Sequence, residues 1–407
     1  MKWPEIAFSK LAEIVTGNTP PKKNPENYGP GVPWVKPPDL DKWEPVTATE
    51  ETLSLKGQKI SRLIPVGTVM VSCIGSIGRV GIAGTALATN QQINSLIFNS
   101  IIEPRFGYYY CKSITQKLQS LTSNAVVPIL NKTNFSKIKM PLPPISEQHR
   151  IVEILDQVDR LRKLRADADA KIQRILPALF IKMFGNPVAN KGSWNVDKLG
   201  NVGTLERGKS KHRPRNDPIL LGGPYPLIQT GDVANSGGRI RNYTQTYSDI
   251  GLSQSRMWPR GTLCITIAAN IARTGVLEFD ACFPDSIVGF HPGADVTIEY
   301  VQAWLWFLQP VLENNAPQAA QKNINLKVLR DLPIPIPPKY LQDKFSGQVK
   351  NIYQQKNYMR KARTKIEILY KSLLHNAFTG DLTASWREAH MKKLLQEMEL
   401  QAKALAS

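Results

Sequence analysis

Polar and basic side chains collect in the presumed loops of both halves of this 407-residue chain. Lysine and arginine hold phosphate groups, whereas arginine, asparagine and glutamine read base edges in the major groove of DNA. The first half offers Thr16, Asn18, Thr19, Lys22, Lys23, Lys36, Ser76, Arg79, Asn90, Gln91 and Gln92. The second half offers Arg207, Lys209, Lys211, His212, Arg213, Arg215, Gln229, Thr230, Arg239, Arg241, Asn270 and Arg273. Together they predict two DNA-contacting surfaces, although each residue taken singly is more simply an ordinary exposed loop side chain.

The overall charge favours the same partner. The chain has 52 lysines and arginines against 33 aspartates and glutamates, which gives a formal net charge of +19. Each phosphate that a protein neutralises releases condensed counterions, so a chain this basic gains from binding a polyanion. A basic enzyme unrelated to nucleic acid is the alternative that charge alone leaves open.

The two halves differ in the basic residue that they use. Residues 1–142 carry three arginines against thirteen lysines, whereas residues 185–336 carry nine arginines against six lysines. Arginine makes bidentate contacts with guanine, while asparagine and glutamine favour adenine. We therefore expect the second half to read the more guanine-rich sequence.

An internal repeat organises the elements that must position these residues. The stretch 134–151 is echoed at 328–345, where Pro337 and Pro338 match Pro143 and Pro144 at an offset of 194 residues. The same offset pairs Gly67 with Gly261, Arg79 with Arg273, Asn131 with Asn325, Gln148 with Gln342 and Phe184 with Phe378. A chance repeat of this length is very improbable, so the chain is a head-to-tail duplication.

A long helix is predicted after each proline-rich string, because prolines end regular structure and Ser146 supplies a helix start. Apolar residues then recur at alternating steps of three and four, the spacing of a coiled-coil seam. The seam residues are Ile151, Ile154, Val158, Leu161, Ile172 and Ile175 in the first copy and Ile352, Met359, Ile366 and Leu369 in the second. We expect the copies to pair antiparallel as a rigid spacer. Basic residues on the outer faces are either a solvated surface or a contact for a partner protein or phosphates.

The expected fold class is α+β, with two globular domains separated by two long antiparallel coiled-coil helices and an internal two-fold repeat. Short β-rich strings between glycines and prolines predict the mixed domains, and the clearest helices within them are predicted at 105–121 and 298–313. The expected boundaries are 1–142 for the first domain, 143–185 for the central helical region, 186–336 for the second domain, 337–380 for the C-terminal helical region and 381–407 for a tail.

Catalytic and metal-binding motifs are missing from the sequence. It has no Walker loop, no dinucleotide fingerprint, no adenine-methyltransferase tetrapeptide, no nucleophile motif beside a histidine and no paired carboxylates of a metal nuclease. Its four cysteines are scattered without zinc-finger spacing, so no metal site is expected. No apolar run has the length of a membrane span and no signal core is evident, so we expect a cytoplasmic protein that binds and does not react.

The motifs resemble the specificity subunits of type I restriction–modification systems over almost the whole chain. First-half segments that follow the family pattern are TGNTP at 16–20, VPWVKPPDL at 32–40, GSIGRVGI at 75–82, TNQQIN at 89–94, PLPPISEQHRI at 141–151 and RILPALFIKMFGNP at 174–187. In the second half, NAFTGDLT at 376–383 is similar to the C-terminal signature. The second domain departs more, with GKSK at 208–211 where the family has GxTP.

The resemblance implies two target-recognition domains that read the two halves of an interrupted double-stranded DNA site. It implies methyltransferase subunits, two of them, and restriction subunits as partners. S-adenosylmethionine would belong to the methyltransferase and ATP with magnesium to the restriction subunit, so this chain itself would bind no cofactor.

Three other functions stay open at this point. The chain would also suit a stand-alone or silent-cassette DNA-binding protein without active partners. A coiled-coil scaffold with incidental basic charge is a second alternative. An enzyme with an unrecognised nuclease centre is a third, and the missing motifs disfavour it.

Overall fold

The computed structural model describes residues 3–122, 127–187, 194–268, 270–314 and 324–406. These residues form two compact units. Unit 1 comprises Met1–Asp167 with Arg360–Ser407, and unit 2 comprises Ala168–Met359. Each of the two long helices therefore contributes one part to each unit.

The first half of the chain contains strands and short helices that end in one long helix. Its strands are β1 (Glu5–Ala7), β2 (Ala12–Thr16), β3 (Tyr28–Val35), β4 (Thr52–Leu53), β5 (Leu63–Ile64), β6 (Val69–Ser72), β7 (Val80–Ile82), β8 (Leu87–Thr89), β9 (Ile93–Phe98) and β10 (Lys139–Pro141). Its helices are α1 (Phe8–Leu11), α2 (Leu55–Lys59), α3 (Pro104–Ser113), α4 (Thr115–Ser120), α5 (Lys132–Ser136) and the long α6 (Ile145–Phe184).

The second half repeats most of this order. Its strands are β11 (Asn195–Lys198), β12 (Gly203–Arg207), β13 (Leu221–Leu227), β14 (Arg239–Ile240), β15 (Gln245–Tyr247), β16 (Met257–Trp258), β17 (Leu263–Thr266), β18 (Thr274–Leu277), β19 (Ala281–Cys282), β20 (Ile287–Pro292) and β21 (Pro333–Ile336). Its helices are α7 (Thr230–Ala234), α8 (Asp249–Ser253), α9 (Ile298–Asn314), α10 (Leu326–Arg330) and the long α11 (Lys339–Thr379), followed by α12 (Ala384–Ala389) and α13 (Met391–Ala406).

Both units share a core sheet topology, and the first sheet of unit 2 has one additional strand, β14. In unit 1 the sheets have the orders β2–β9–β6–β7 and β4–β3–β8–β5, and β1 pairs with β10. In unit 2 they have the orders β12–β20–β17–β18–β14 and β15–β13–β19–β16, and β11 pairs with β21. The strand pairs β3–β8 and β13–β19 are both parallel. The predicted internal repeat and the mixed helix and sheet content are confirmed.

A buried glutamine fixes the start of each long helix in the same way. Gln148 and Gln342 are fully buried. Each side-chain amide donates to two backbone carbonyls and accepts from one backbone N–H, so its buried polar atoms are satisfied. The partners are Pro143, Ile101 and Glu103 for Gln148, and Pro337, Asp295 and Thr297 for Gln342, all at 2.8–3.0 Å. This shared bonding explains why glutamine recurs at the 194-residue offset.

The long helices run antiparallel to each other within each unit. In unit 1, Arg162 of α6 contacts Glu367 of α11 at 2.9 Å, while Glu147, fifteen positions earlier, contacts Arg387 beyond the end of α11 at 2.8 Å. In unit 2, Gln173 of α6 contacts Lys356 at 3.4 Å, and the ring of Phe184 lies 5.3 Å from that of Phe345. In both units a later position on α6 meets an earlier position on α11.

Part of the predicted seam is wrong. Ile151 and Val158 are buried, and Ile154, Ile172, Ile352, Met359 and Ile366 are half-buried. Leu161, Ile175 and Leu369 are about half exposed, at 50%, 45% and 46%. Adjacent helix positions point about 100° apart, and the inward positions lie one residue further on, at the half-buried Arg162 and at the buried Leu176 and Tyr370. A charged side chain holds an inward position of α6, which an apolar pattern cannot reveal.

The C-terminal helices belong to unit 1 and pack against the start of α6. Glu147 is fully buried at the start of α6. Its carboxylate accepts hydrogen bonds from Trp3 Nε1 at 3.1 Å, Thr383 Oγ1 at 2.6 Å and Arg387 Nε at 2.8 Å. In unit 2 the apolar Leu341 occupies the position of Glu147 in the repeat. Within the described ranges, no helix is both long and apolar enough to cross a membrane.

Candidate nucleic-acid interface

Four loops of unit 1 leave the sheets at one edge. Strands β2 and β6 both run antiparallel to β9, and their last residues, Thr16 and Ser72, face the first residues of β9. Strands β3 and β8 are parallel, so they end together. The loops that follow these strands therefore meet, and the sequence candidates of the first half lie in them or at their starts.

Backbone hydrogen bonds tie these loops together. The N–H of Asn18 donates to the carbonyl of Thr89 at 3.0 Å, and the N–H of Asn90 donates to that of Val35 at 3.0 Å. Gly17 passes so close to the next loop that an added Cβ would lie 2.3 Å from the carbonyl oxygen of Asn90. Glycine is therefore required in the TGNTP segment by packing of backbone against backbone.

The predicted DNA-contacting residues of unit 1 fall into two groups: some are exposed, and others form hydrogen bonds within the unit. Lys22, Lys23, Ser76 and Gln91 are exposed. The hydroxyl of Thr19 contacts the amide of Gln91, Gln92 is half-buried, and the ammonium group of Lys36 contacts Glu51 and lies over the ring of Trp34. These side chains line the loop edge and are accessible in whole or in part.

Three other candidates bond to the chain itself. Thr16 Oγ1 donates to Asn94 Oδ1 at 2.7 Å, and Asn18 Nδ2 donates to the carbonyl of Ile60 at 2.9 Å. Asn90 is only 6% exposed, and its amide donates to Gln92 Oε1 at 2.8 Å. The prediction of DNA contact is wrong for Asn90, because its side chain is committed to holding the loop.

Arg79 lies in a groove of about 570 Å³ beside Ser76, Asp41 and Gln119. Its backbone N–H donates to Ser72 Oγ at 2.9 Å, and its guanidinium donates to the carbonyl of Pro37 at 3.3 Å. It therefore links two of the loops and keeps only part of its hydrogen-bonding capacity for a ligand.

Unit 2 presents the equivalent edge. Arg207 at the end of β12 faces Val288, and Thr266 at the end of β17 faces Ile287 on the same strand β20. The N–H of Gly208 donates to the carbonyl of Ile287 at 2.9 Å. The loops after β12, β13, β17 and β19 thus meet as their counterparts do in unit 1.

The first loop of unit 2 is much more basic than that of unit 1. Its exposed cations are Arg207, Lys209, Lys211, Arg213 and Arg215. Arg213 and Arg215 share one carboxylate, that of Asp285, which stands at the position of Gln91 in the repeat. His212 contacts Asp217 at 3.0 Å, and hydrogen bonds from the N–H of Ile219 and from His212 lower the pKa of Asp217.

Four further candidates of unit 2 lie along the same edge. Gln229 and Thr230 are half-buried, and Gln229 Nε2 donates to Gln245 Oε1 at 3.0 Å. Asn270 and Arg273 are exposed in the loop after β17. The backbone N–H of Arg273 donates to Thr266 Oγ1 at 3.0 Å, just as that of Arg79 donates to Ser72.

Two arginines of unit 2 lie away from this edge. The side chain of Arg239 is only 10% exposed, pairs with Glu299 at 3.0 Å and lies over the ring of Tyr353. Arg241 follows β14, which runs parallel to β18, and lies near Glu278, just past the last residue of β18. The loop edge lies at the other end of β18. The DNA-contact prediction is wrong for Arg239, and Arg241 is not part of the loop edge, because β14 carries both residues away from it.

Sequence reasoning missed Asp285 and Gln254. Asp285 neutralises two predicted DNA-contacting arginines, and the Gln254 side chain accepts from the N–H groups of Lys211 and His212 at 2.5 and 3.1 Å. The repeat itself could have found Asp285, since it lies 194 residues after Gln91. No local signal marks Gln254.

Metal-ligand clusters and accessible thiols are absent from the described residues. These residues contain no group of three or more histidine, cysteine, aspartate or glutamate side chains placed to hold a metal ion. The four cysteines are buried thiols, and burial raises the pKa of Cys73 to about 12. Burial in apolar surroundings disfavours the thiolate form of a cysteine.

Two units that share a core topology and carry polar loops at the same edge define a protein with an internal duplication. The sequence matches the type I restriction modification DNA specificity domain over residues 2–174 and again over residues 191–368. The chain therefore belongs to the family of type I restriction–modification specificity subunits, whose members are non-catalytic.

Individual relatives agree with this assignment. The chain is 37% identical to the type I restriction enzyme HindI specificity subunit of Haemophilus influenzae over 146 residues, which are 35% of this chain and 32% of that protein. It is 25% identical to the MjaIX specificity subunit of Methanocaldococcus jannaschii, over 56% of this chain and 57% of that protein. These matches span about a third and about half of those relatives. A putative MjaX specificity subunit of the same organism is 22% identical over 93% of both chains.

Solved structures show the same fold. The S subunit of a type I restriction–modification system from M. genitalium is similar with a TM-score of 0.59 at 15% identity, over 93% of this chain and 96% of that one. A chain from a study of assembly and conformational transition in a type I R-M system gives the same TM-score at 19% identity, over 94% and 98%.

Proposed function

We propose that this chain is the DNA-reading specificity subunit of a type I restriction–modification complex, and that it recognises a bipartite, interrupted site on double-stranded DNA. The observation that carries the proposal is the repeated loop edge. The strand pairing behind the two edges is alike, whereas exposed or partly exposed side chains differ, as Ser76 and Gln91 of unit 1 differ from Asn270 and Asp285 of unit 2. Two readers built on one scaffold suit two half-sites of different sequence.

The proposed target-recognition domains are residues 1–142 and 186–336. The regions 143–185 and 337–380 form the antiparallel spacer, and 381–407 follows as the tail. Since α6 and α11 contain 40 and 41 residues, each is about 60 Å long at 1.5 Å per residue. A rigid spacer of fixed length would set the gap between the half-sites.

The helices also offer surfaces for partner subunits. Exposed apolar side chains on them include Leu161, Leu164, Ile368 and Leu369 in unit 1 and Ile175, Ile181 and Tyr358 in unit 2. Exposed apolar side chains on a helix favour burial against further helices. We propose that two methyltransferase subunits dock here, one at each unit, and that restriction subunits join them. S-adenosylmethionine, ATP and magnesium would be bound by those partners.

The basic residues suggest which half-site each unit reads. Arg207, Arg213 and Arg215 lie in the first loop of unit 2, whereas Lys22 and Lys23 occupy that loop in unit 1. Because arginine makes the commonest specific contact with guanine, unit 2 is proposed to read the more guanine-rich half. A methylated DNA motif whose guanines lie in the half-site read by unit 1 would contradict this proposal.

Matched changes in helix length test the proposed spacer. Seven residues are inserted into α6 and seven at the facing position of α11, which keeps the seam in phase. The gap in the methylated motif should widen while both half-sites stay unchanged. An unchanged gap would show that the helices do not set the spacing.

A further inference from the structure

A groove in unit 2 is open where unit 1 fills the equivalent space with its own chain. The equivalence follows from strand pairing, because Val46 pairs in parallel with Ala83 in unit 1 and Ile240 pairs in parallel with Leu277 in unit 2. Both partners lie 194 residues further on. Trp43 and Glu44 of unit 1 therefore correspond to Gly237 and Gly238 of unit 2.

In unit 1 the Trp43–Glu44 pair docks on α6. The carboxylate of Glu44 pairs with Lys163, and the guanidinium of Arg162 lies 5.0 Å from the centre of the Trp43 ring. Arg162 also pairs with Asp159 at 2.7 Å and with Glu367 at 2.9 Å. The rings of Trp43 and Tyr370 and three carboxylates thus cover this cationic stretch of α6.

In unit 2 the corresponding cation lacks all of these partners. Lys356 occupies the position of Arg162, while Tyr353 replaces Asp159, Gln173 replaces Glu367 and Gly237 replaces Trp43. The neighbouring Lys163, which pairs with Glu44, is replaced by the neutral Asn357. The ammonium group of Lys356 lies 3.4 Å from Gln173 Oε1 and 5.5 Å from the Tyr353 ring. No carboxylate among the described residues pairs with it, and burial lowers the pKa of Lys356.

The space above Lys356 is a groove of about 320 Å³. Leu176, Pro177 and Trp306 give it an apolar wall, and Arg273 adds a second cation. This volume is at the low end of ligand sites, which run from about 300 to 1,000 Å³, and it suits one or two side chains. The mixture of apolar wall and cations matches a ring with a neighbouring carboxylate.

The loop of unit 2 cannot fill this groove itself. Gly238 has φ +95°, and an added Cβ would lie 2.2 Å from the hydroxyl oxygen of Tyr353. Gly237 also has a positive φ of +61°, which disfavours a side chain. A ring and a carboxylate that cover Lys356 therefore cannot come from positions 237 and 238 of this loop.

We propose that this groove of unit 2 binds a polypeptide segment of a partner protein in which an aromatic residue is followed by a carboxylate, with the ring in the place that Trp43 takes in unit 1 and the carboxylate paired with Lys356. The apolar wall favours a polypeptide over a DNA phosphate, which would use only the two cations. The inference goes beyond DNA reading and does not depend on it.

The chain supplies its own probe. A fluorescent peptide with the sequence of residues 40–46, LDKWEPV, is titrated into the full-length protein without DNA, and its anisotropy is measured. Saturable binding is expected. Replacing Lys356→Met in the protein, or the glutamate by glutamine in the peptide, should each weaken binding about tenfold, since both remove the same charge pair. Combining the two changes should cost little more than either alone.

The control is Lys344→Met, a similar change at an exposed position of the same helix outside the groove. It should leave binding unchanged. If Lys356→Met does not fold, the exposed Arg273→Gln provides the same test. Absent binding, or binding that Lys356→Met and Arg273→Gln leave intact, overturns the proposal. Displacement of the peptide by a short DNA duplex, with direct duplex binding that needs Lys356, would assign the groove to the DNA backbone and also overturn it.

Discussion

Units 1 and 2 share a backbone but differ in how their charges are balanced. Side chains that hold turns recur with the same bonds, as in Ser54 and Ser248, which cap helices 194 residues apart by accepting from Gly57 and Gly251 at 3.2 Å. Charged side chains diverge. Unit 1 neutralises Arg162 with its own carboxylates, while unit 2 leaves Lys356 without one among the described residues. The duplication has kept the scaffold and varied the surface.

The largest expected effect concerns the buried ion pair between Glu147 and Arg387, which joins the C-terminal helices to the start of α6. Arg387→Met removes a partner of the fully buried Glu147 and leaves its charge poorly compensated. We expect the free energy of unfolding to fall by about 3–5 kcal/mol, the usual cost of breaking a buried ion pair. Urea unfolding followed by tryptophan fluorescence measures it, since Trp3 lies against Arg387.

The comparison supplies the control. Glu147→Leu combined with Arg387→Met gives unit 1 the apolar residue that unit 2 carries as Leu341. This double variant should recover most of the lost stability, because no buried charge remains. A double variant as unstable as Arg387→Met would show that the ion pair is not the cause.

Gln148 and Gln342 should differ slightly in their contributions to the free energy of unfolding. Gln342→Ala leaves two carbonyls and one N–H unbonded in unit 2, and we expect a loss of about 2–3 kcal/mol. Gln148→Ala should cost less, because Gln401 Nε2 also donates to the carbonyl of Pro143 at 3.1 Å. Thermal or urea unfolding of the two variants compares them. A larger loss for Gln148→Ala would contradict this reading.

The loop cations should contribute to DNA affinity in both units. Replacing Lys209 and Lys211 by glutamine, or Lys22 and Lys23, should lower the slope of log affinity against log salt concentration by about 1.8, since each phosphate contact contributes about 0.9. Lys10→Gln, at the opposite end of β2, is the control and should leave the slope unchanged. An equal effect of Lys10→Gln would show that the loop edge is not the DNA-binding surface.

The smallest effect concerns Asp285. Asp285→Gln installs the residue that unit 1 has at Gln91 and releases Arg213 and Arg215. DNA affinity should rise by about two- to fivefold at low salt, since exposed ion pairs contribute less than about 1 kcal/mol. The mirror change Gln91→Asp should lower it. Unchanged affinity in both variants would show that this position does not face DNA.

The sequence predicted much of the scaffold and less of the surface. The 194-residue repeat anticipated the shared topology, and the helix predicted at 298–313 corresponds to α9. The register of the seam was wrong at Leu161, Ile175 and Leu369 because Arg162 points inward, held by a residue two hundred positions away. Asn90 and Arg239 look like DNA contacts in sequence, yet both side chains are largely buried. Asn90 bonds to Gln92 within its own loop, whereas Arg239 forms an ion pair with Glu299, a residue to which no local pattern relates it.

Methylome sequencing of cells that carry this chain with the proposed methyltransferase partner tests the central claim most directly. The wild-type chain should yield one motif of two defined parts separated by a fixed gap. Arg213→Gln should relax or abolish recognition at positions in one part only, and changes at Lys22 and Lys23 should leave the sequence of both parts unchanged. A continuous motif, or a change in both parts caused by Arg213→Gln alone, would contradict the reading of one half-site by each unit.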